Sequence, residues 1–216
     1  MSGIFNYDGA VVQTTNKIAD CLCLSLLWLV SAIPVFTIGA ANAALYYAMN
    51  KSVRRGESGI LKTYWQGFRS NFRQGTALWL MMVPVYALLA ASCYSTWLMC
   101  ASGNLPAFFF WVCLLLVALV LIWASFLFPY QARFRNSNRQ ILKNCVYIAI
   151  MNFPAGLGNL LLLIAAALAT VYVPMTMPFL PGLYMVLSCW ILEPVFRKYM
   201  SEEDRKREEE LEEMMK

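Results

Sequence analysis

The chain has 216 residues, of which 60% are hydrophobic and only 13% charged, with a formal net charge of +5. A water-soluble domain carries nearer a quarter charged residues, so most of this surface has to face something other than water. The absence of any His removes the commonest general base, proton shuttle and metal ligand together, which argues against an enzyme or metal centre.

Five long apolar runs follow one another, and an α-helical transmembrane segment needs about 20 such residues. The first extends from Ile18 to Met49 and contains Pro34 and Gly39. It reads as a retained span rather than a cleavable signal, because no basic stretch precedes it and no A-x-A site follows. Each side of Pro34 would form roughly 24 Å of helix, short of the ~30 Å hydrocarbon core. Two readings stay open: one kinked span whose end extends into the cytoplasm, or a tight hairpin turning at Ala32, Ile33 and Pro34. The later runs are Thr76 to Met99, Leu105 to Pro129, Leu157 to Val173 and Pro178 to Val195. Their continuity fits helices and not the alternation of a β-barrel. The fold class is therefore all-α, a polytopic transmembrane helical bundle with five spans favoured, or six if the first run is a hairpin. Residues 1–200 form a single integral membrane domain, and 201–216 a charged C-terminal tail.

Charge is distributed by loop. Lys51, Arg54, Arg55, Lys62, Arg69 and Arg73 follow the first run, against the single acid Glu57. Arg133, Arg135, Arg139 and Lys143 follow the third run, and Arg197 and Lys198 the fifth. The intervening turns, Cys100–Pro106 and Pro174–Pro181, carry no charge. Lys and Arg are retained on the cytoplasmic side of an inner membrane. The expected location is thus a bacterial cytoplasmic membrane, multi-pass, with the C-terminus and the basic loops inside.

Two loop stretches have helical pattern. In Lys62–Gln74, Tyr64, Trp65, Phe68 and Phe72 form one face, with Lys62, Arg69 and Arg73 beside it. An aromatic face flanked by cations suits a helix lying at an anionic headgroup layer, or a docking surface for a partner. Asn138–Met151 is the second amphipathic cytoplasmic helix, with Ile141, Leu142, Cys145, Val146 and Ile148 on one side, ended by Asn152, Phe153 and Pro154. The tail from Ser201 to Lys216 alternates acidic and basic clusters and reads as a solvated extension.

Chemistry is scarce. Cys21, Cys23, Cys93, Cys100, Cys113, Cys145 and Cys189 are scattered without a CxxC pair and read as small packing residues. No Walker or dinucleotide glycine fingerprint occurs, and no cofactor is expected. Gly39, Ala40, Ala43 and Ala44 suit close helix packing. The remaining leads are polar residues in apolar runs: Glu193 first, then Asp20, Asn159, Asn42 and Asn152. An acid at Glu193 should face protein or water, either paired with a basic loop residue or lining a solute path.

Six stretches carry a family resemblance: GIFNYDG from Gly3 to Gly9, NKIAD from Asn16 to Asp20, LLW from Leu26 to Trp28, PVFTIGA from Pro34 to Ala40, ALYY from Ala44 to Tyr47, and FRSNFRQ from Phe68 to Gln74. The ending from Glu193 to Tyr199 is less distinctive. Together they resemble the YesL-like family of bacterial integral membrane proteins, over nearly the whole chain and most specifically over residues 3–75. Members are found typically in Gram-positive bacteria, often encoded beside carbohydrate-uptake ABC transporters and glycoside hydrolases. The family has no established activity, so the resemblance assigns no residue a role. It implies a sugar-uptake context. The expected function is a non-enzymatic accessory or regulatory partner of a carbohydrate-uptake ABC-type system, with a small-solute permease or channel as the alternative. The expected partners are the lipid bilayer and a carbohydrate ABC transporter subunit or other membrane protein, with no nucleic acid.

Overall fold

The computed structural model describes residues 5–54, 59–134, 136–200 and 202. Apart from Glu202, the charged tail 201–216 lies outside the described residues, as do Arg55, Glu57 and Arg135. The described chain is helical in seven α-segments, with short 3₁₀ and π turns between some of them.

Helix α1, Phe5–Ala32, stops where the sequence places Pro34. Proline has no N–H to donate and disfavours helical geometry in the residue before it. A 3₁₀ turn, Val35–Thr37, comes next, and Thr37 closes it by donating its hydroxyl to Ser31 O at 2.5 Å and Pro34 O at 2.6 Å. Helix α2, Ile38–Ala48, then folds back on α1, because Trp28 Nε1 donates to Asn42 Oδ1 at 2.8 Å. In a continued helix those residues would stand about 21 Å apart. The first apolar run therefore forms two helices folded against each other at Pro34. At 11 residues α2 reaches only about 16 Å, and nearly all its residues are buried in protein.

Helix α3, Ile60–Ala101, is 42 residues long, about 63 Å. It begins after Gly59, whose φ of 90° suits glycine alone. The expected interfacial helix Lys62–Gln74 is the opening third of α3 and runs without a break into the apolar stretch behind it. Gly75 does not break the helix, since α2 packs directly on it. A Cβ on Gly75 would sit 2.9 Å from the Ala40 backbone, and one on Gly39 2.3 Å from Gly75 O. Ala44 lies over Gly67 in the same antiparallel contact. Small residues at this spacing let two helix backbones meet.

Helix α4, Phe108–Arg133, returns antiparallel to α3. Trp79 packs on Phe128 with ring centroids 6.3 Å apart, and Cys93 Sγ lies 3.0 Å from Cys113 Sγ. At the basic end, Gln131 Nε2 donates to Asn71 O at 3.3 Å and Gln74 Nε2 to Asn136 O at 2.6 Å. Helix α5 spans Asn138–Met151. Its buried face is Ile141, Cys145, Ile148 and Ala149, whereas Val146, expected on that face, is exposed. Helices α6, Phe153–Tyr172, and α7, Leu180–Arg197, each carry a proline in the first turn, where no backbone donor is lost. They lie antiparallel, joined by Ser188 Oγ donating to Asn159 Oδ1 at 2.5 Å.

Among the described residues three helices, α3, α4 and α6, are long and apolar enough to cross a membrane. Their outward faces carry exposed Leu88, Trp111, Leu115 and Leu161, which suits a lipid solvent. The core gathers Tyr46, Leu78, Phe126, Leu127, Leu192 and Phe196 between α2, α3, α4 and α7.

Candidate functional site

Glu193 is 1% exposed, on a helix whose preceding residues are apolar. Such a carboxylate needs partners, since an unpaired buried charge is costly. Two helices supply them. Arg133, in the last turn of α4, pairs its Nη1 with Glu193 Oε1, and Tyr46 of α2 donates its hydroxyl to Oε2 at 2.9 Å. Arg133 is itself buried, and its Nη2 reaches Met200 Sδ at 2.8 Å. The set ties α2, α4 and α7 together at one point.

Apolar packing closes around that point. Phe196 meets Tyr46, Phe126, Tyr130 and Phe134 edge-on, with centroids 6.1 to 6.3 Å away. Tyr130 stacks on Phe134 at 4.6 Å, and its hydroxyl accepts from Asn136 at 2.9 Å and Asn144 at 2.8 Å. Edge-to-face rings add to the stabilisation from burial. Arg133, Glu193 and this cluster seal the bundle at its basic end.

The other intramembrane polar candidates fall elsewhere. Asn159 is buried on α6 against Ser188, which stands five residues, about 7.5 Å of rise, before Glu193 on α7. The structure thus brings Asn159 and Glu193 to neighbouring levels of α7 and not into contact. Asp20 is half-buried on α1 and makes no hydrogen bond or ion pair among the described residues. Asn42 accepts from Trp28, and Asn152 donates to Tyr199 OH at 2.9 Å.

The aromatic and basic residues of Lys62–Gln74 divide between two faces. Tyr64 is 2% exposed, and its hydroxyl meets that of Ser31. Phe68 is half-buried and joins a ladder of rings with Tyr64, Trp65 and Phe72, centroids 5.5 to 6.3 Å apart. Trp65 is 61% and Phe72 39% exposed, with Leu61, Arg69 and Arg73 also outside. The outer face is therefore Leu61, Trp65, Arg69, Phe72 and Arg73, while Tyr64 belongs to the core.

A cleft of about 580 Å³, open on one side, lies between the helices on the Ser188 side of Glu193, lined by every helix except α5. It follows α6 from Asn159 to Thr170 and reaches Met177 and Pro181 beside the charge-free turn. None of its lining residues is charged. Sequence reasoning passed over Tyr46, Trp79, Tyr184 and Ser188, for aromatic and hydroxyl residues in apolar runs look like ordinary packing until the helices are placed.

Among the described residues no group of three or more Cys, Asp or Glu is arranged to hold a metal ion. All seven cysteines are free. Cys145, on α5, is buried, and burial pushes its thiol well above the ordinary value, away from the reactive thiolate.

A family model described as a protein of unknown function, DUF624, matches residues 21–93, about a third of the chain. The match covers the latter part of α1, all of α2 and α3 as far as Cys93, so the close α2–α3 packing lies within it. No curated protein and no solved structure matches the chain.

Proposed function

We propose that this is a multi-pass protein of a bacterial cytoplasmic membrane that serves a carbohydrate-uptake ABC system as a non-enzymatic accessory partner. In this reading α1, α3, α4, α6 and α7 cross the bilayer and α2 stays buried between them. The basic end and the C-terminus face the cytoplasm, because Lys and Arg cluster there. A periplasm-active reporter fused after Lys216 should then be silent and a cytoplasm-active one bright. The reverse pattern would overturn the orientation.

The observation that carries the docking role is the outer stripe of Leu61, Trp65, Arg69, Phe72 and Arg73 on a helix continuous with a span. About 20 residues of α3 suffice for the membrane, so its first 15 extend roughly 22 Å beyond. A helix lying flat could bury the stripe in headgroups, but a coaxial extension lifts most of it clear of them. Aromatic and Arg side chains are the types that dominate interface energy. The sugar-uptake assignment itself rests on the YesL-like resemblance.

The test is co-purification from mild detergent with the transporter's membrane subunits, identified by mass spectrometry. Arg69→Glu together with Arg73→Glu should weaken that association by about 2 kcal/mol or more, roughly thirtyfold, with membrane insertion unchanged. Full retention of the partner by a correctly inserted variant would reject the docking role. The cleft favours a second reading, a small-solute permease, which would show solute flux in liposomes containing this chain alone.

A further inference from the structure

Helix α5 joins the basic end of α4 to the start of α6, and its inner side is fixed. Tyr130 OH accepts from Asn144, and Trp123 Nε1 donates to Leu142 O at 3.4 Å. Its far end is tied to the residues after α7. Tyr147 meets Tyr199 edge-on at 6.3 Å, and Asn152 donates to the Tyr199 hydroxyl. The outer side is different. Arg139, Lys143, Val146 and Ile150 recur at i, i+4, i+7 and i+11, one line along the helix, and all four are exposed. That line changes character halfway, from two cations to two apolar side chains. Helix α5 contains no acid, and neither Arg139 nor Lys143 forms an ion pair among the described residues. The apolar half does not stop at the helix end. Exposed Met151, Phe153 and Leu157 carry it on to Leu161 and Ile164, on the outer face of α6. Because α6 is apolar enough to cross a membrane, the strip is continuous with a lipid-facing surface and ends at a pair of cations. Ile150 is 71% exposed, an unfavourable position for such a side chain in water.

We propose that α5 is a binding site for an anionic phospholipid, its headgroup against Arg139 and Lys143 and its acyl chains along Val146 and Ile150. A helix with cations on one part of its exposed face and apolar residues on another suits the boundary of an anionic leaflet. The rise from Lys143 to Ile150, about 10 Å, is long enough to reach through a headgroup layer of roughly 5–7 Å. Free phosphate would meet the cations and leave the apolar half bare. A second copy docking α5 on α5 would bury four cations with no acid on either helix. The site rests on the membrane reading and is independent of the sugar-uptake one.

The experiment uses the full chain in phosphatidylcholine nanodiscs carrying a trace of photoreactive lipid. The two probes are phosphatidylglycerol and phosphatidylcholine with the same diazirine-bearing acyl chain, and labelled peptides are mapped by mass spectrometry. Labelling of α5 should be about tenfold stronger from phosphatidylglycerol, with two cations facing one headgroup charge. Labelling at Leu161 and Ile164 of α6 should not discriminate between the probes. Arg139→Gln with Lys143→Gln should erase the preference at α5, and both positions are exposed, so the fold should survive. Lys62→Gln with Arg69→Gln removes as much charge from α3 and should leave the preference intact. Molar salt should shrink it in the unaltered chain. Equal labelling of α5 by both probes would overturn the proposal. So would a preference that survives the α5 variant or molar salt, or one that the α3 variant also erases. Labelled α6 beside unlabelled α5 would put α5 in water or against another chain and reject the site. If α6 too stays unlabelled, the membrane reading falls and the site with it.

Discussion

Arg133→Met is expected to destabilise the protein by about 3–5 kcal/mol, measured as unfolding of the detergent-solubilised chain. The loss comes from removing the guanidinium that pairs with Glu193, a carboxylate only 1% exposed that also accepts from Tyr46. Glu193→Gln should cost less, on the order of 1–3 kcal/mol, because the amide oxygen can still accept from Tyr46 while Arg133 loses its counter-charge. Arg133→Met combined with Glu193→Leu should be milder than the sum of its parts, since it removes both charges and their desolvation. A double variant as unstable as Arg133→Met and Glu193→Leu added together would mean that the groups do not interact. Singles within about 0.5 kcal/mol of the parent, the ordinary range for exposed positions, would mean that water reaches the pair.

Gly39→Ala is expected to cost about 3 kcal/mol although it adds a single methyl group. The new carbon would stand 2.3 Å from Gly75 O and 2.7 Å from Trp79 Cβ. The first of these is backbone, so no rotamer change relieves it, and α2 would have to move off α3. Gly158→Ala is the control. Its Cβ would meet only Ile191 Cδ1, at 3.6 Å, an ordinary contact. Within helix α6 it should be neutral or stabilising by up to about 1 kcal/mol, through lower backbone entropy in the unfolded chain. Equal tolerance at both positions, in thermal unfolding of the purified variants, would show that the α2–α3 contact is looser than described.

These two sites also mark how far the sequence could be read. The small residues Gly39, Ala40 and Ala44 signal close approach, but the partner surface at Gly67 and Gly75 lies across a loop and leaves no local trace. Gly75 even resembles a breaker between an amphipathic piece and a span, and only the packing of α2 keeps α3 whole. Pro34 marks the break in the first run through backbone chemistry alone. The short helix behind it, buried on nearly every side, depends on four other helices. Glu193 is conspicuous as an acid after an apolar run, and the basic loops offer it several cations. Choosing Arg133 and adding Tyr46, 147 positions earlier, requires the fold. The cleft is a property of six helices at once, so no stretch of sequence announces it.

The unbroken length of α3 has a mechanical meaning. A helix resting on a membrane surface can roll or drift without disturbing the body it is tethered to. The stripe of Trp65 and Arg69 has no such slack, because the same hydrogen-bonded rod carries Leu78 and Met82 into the core. Force applied to the stripe is transmitted as torque about the pinch at Gly39 and Gly75, about 22 Å from the start of the helix and 39 Å from its far end. In a rigid rod so pivoted the far end moves nearly twice as far as the start, but Pro84, only about 13.5 Å past the pivot, lacks one backbone hydrogen bond and lets the rod flex before that gain is reached.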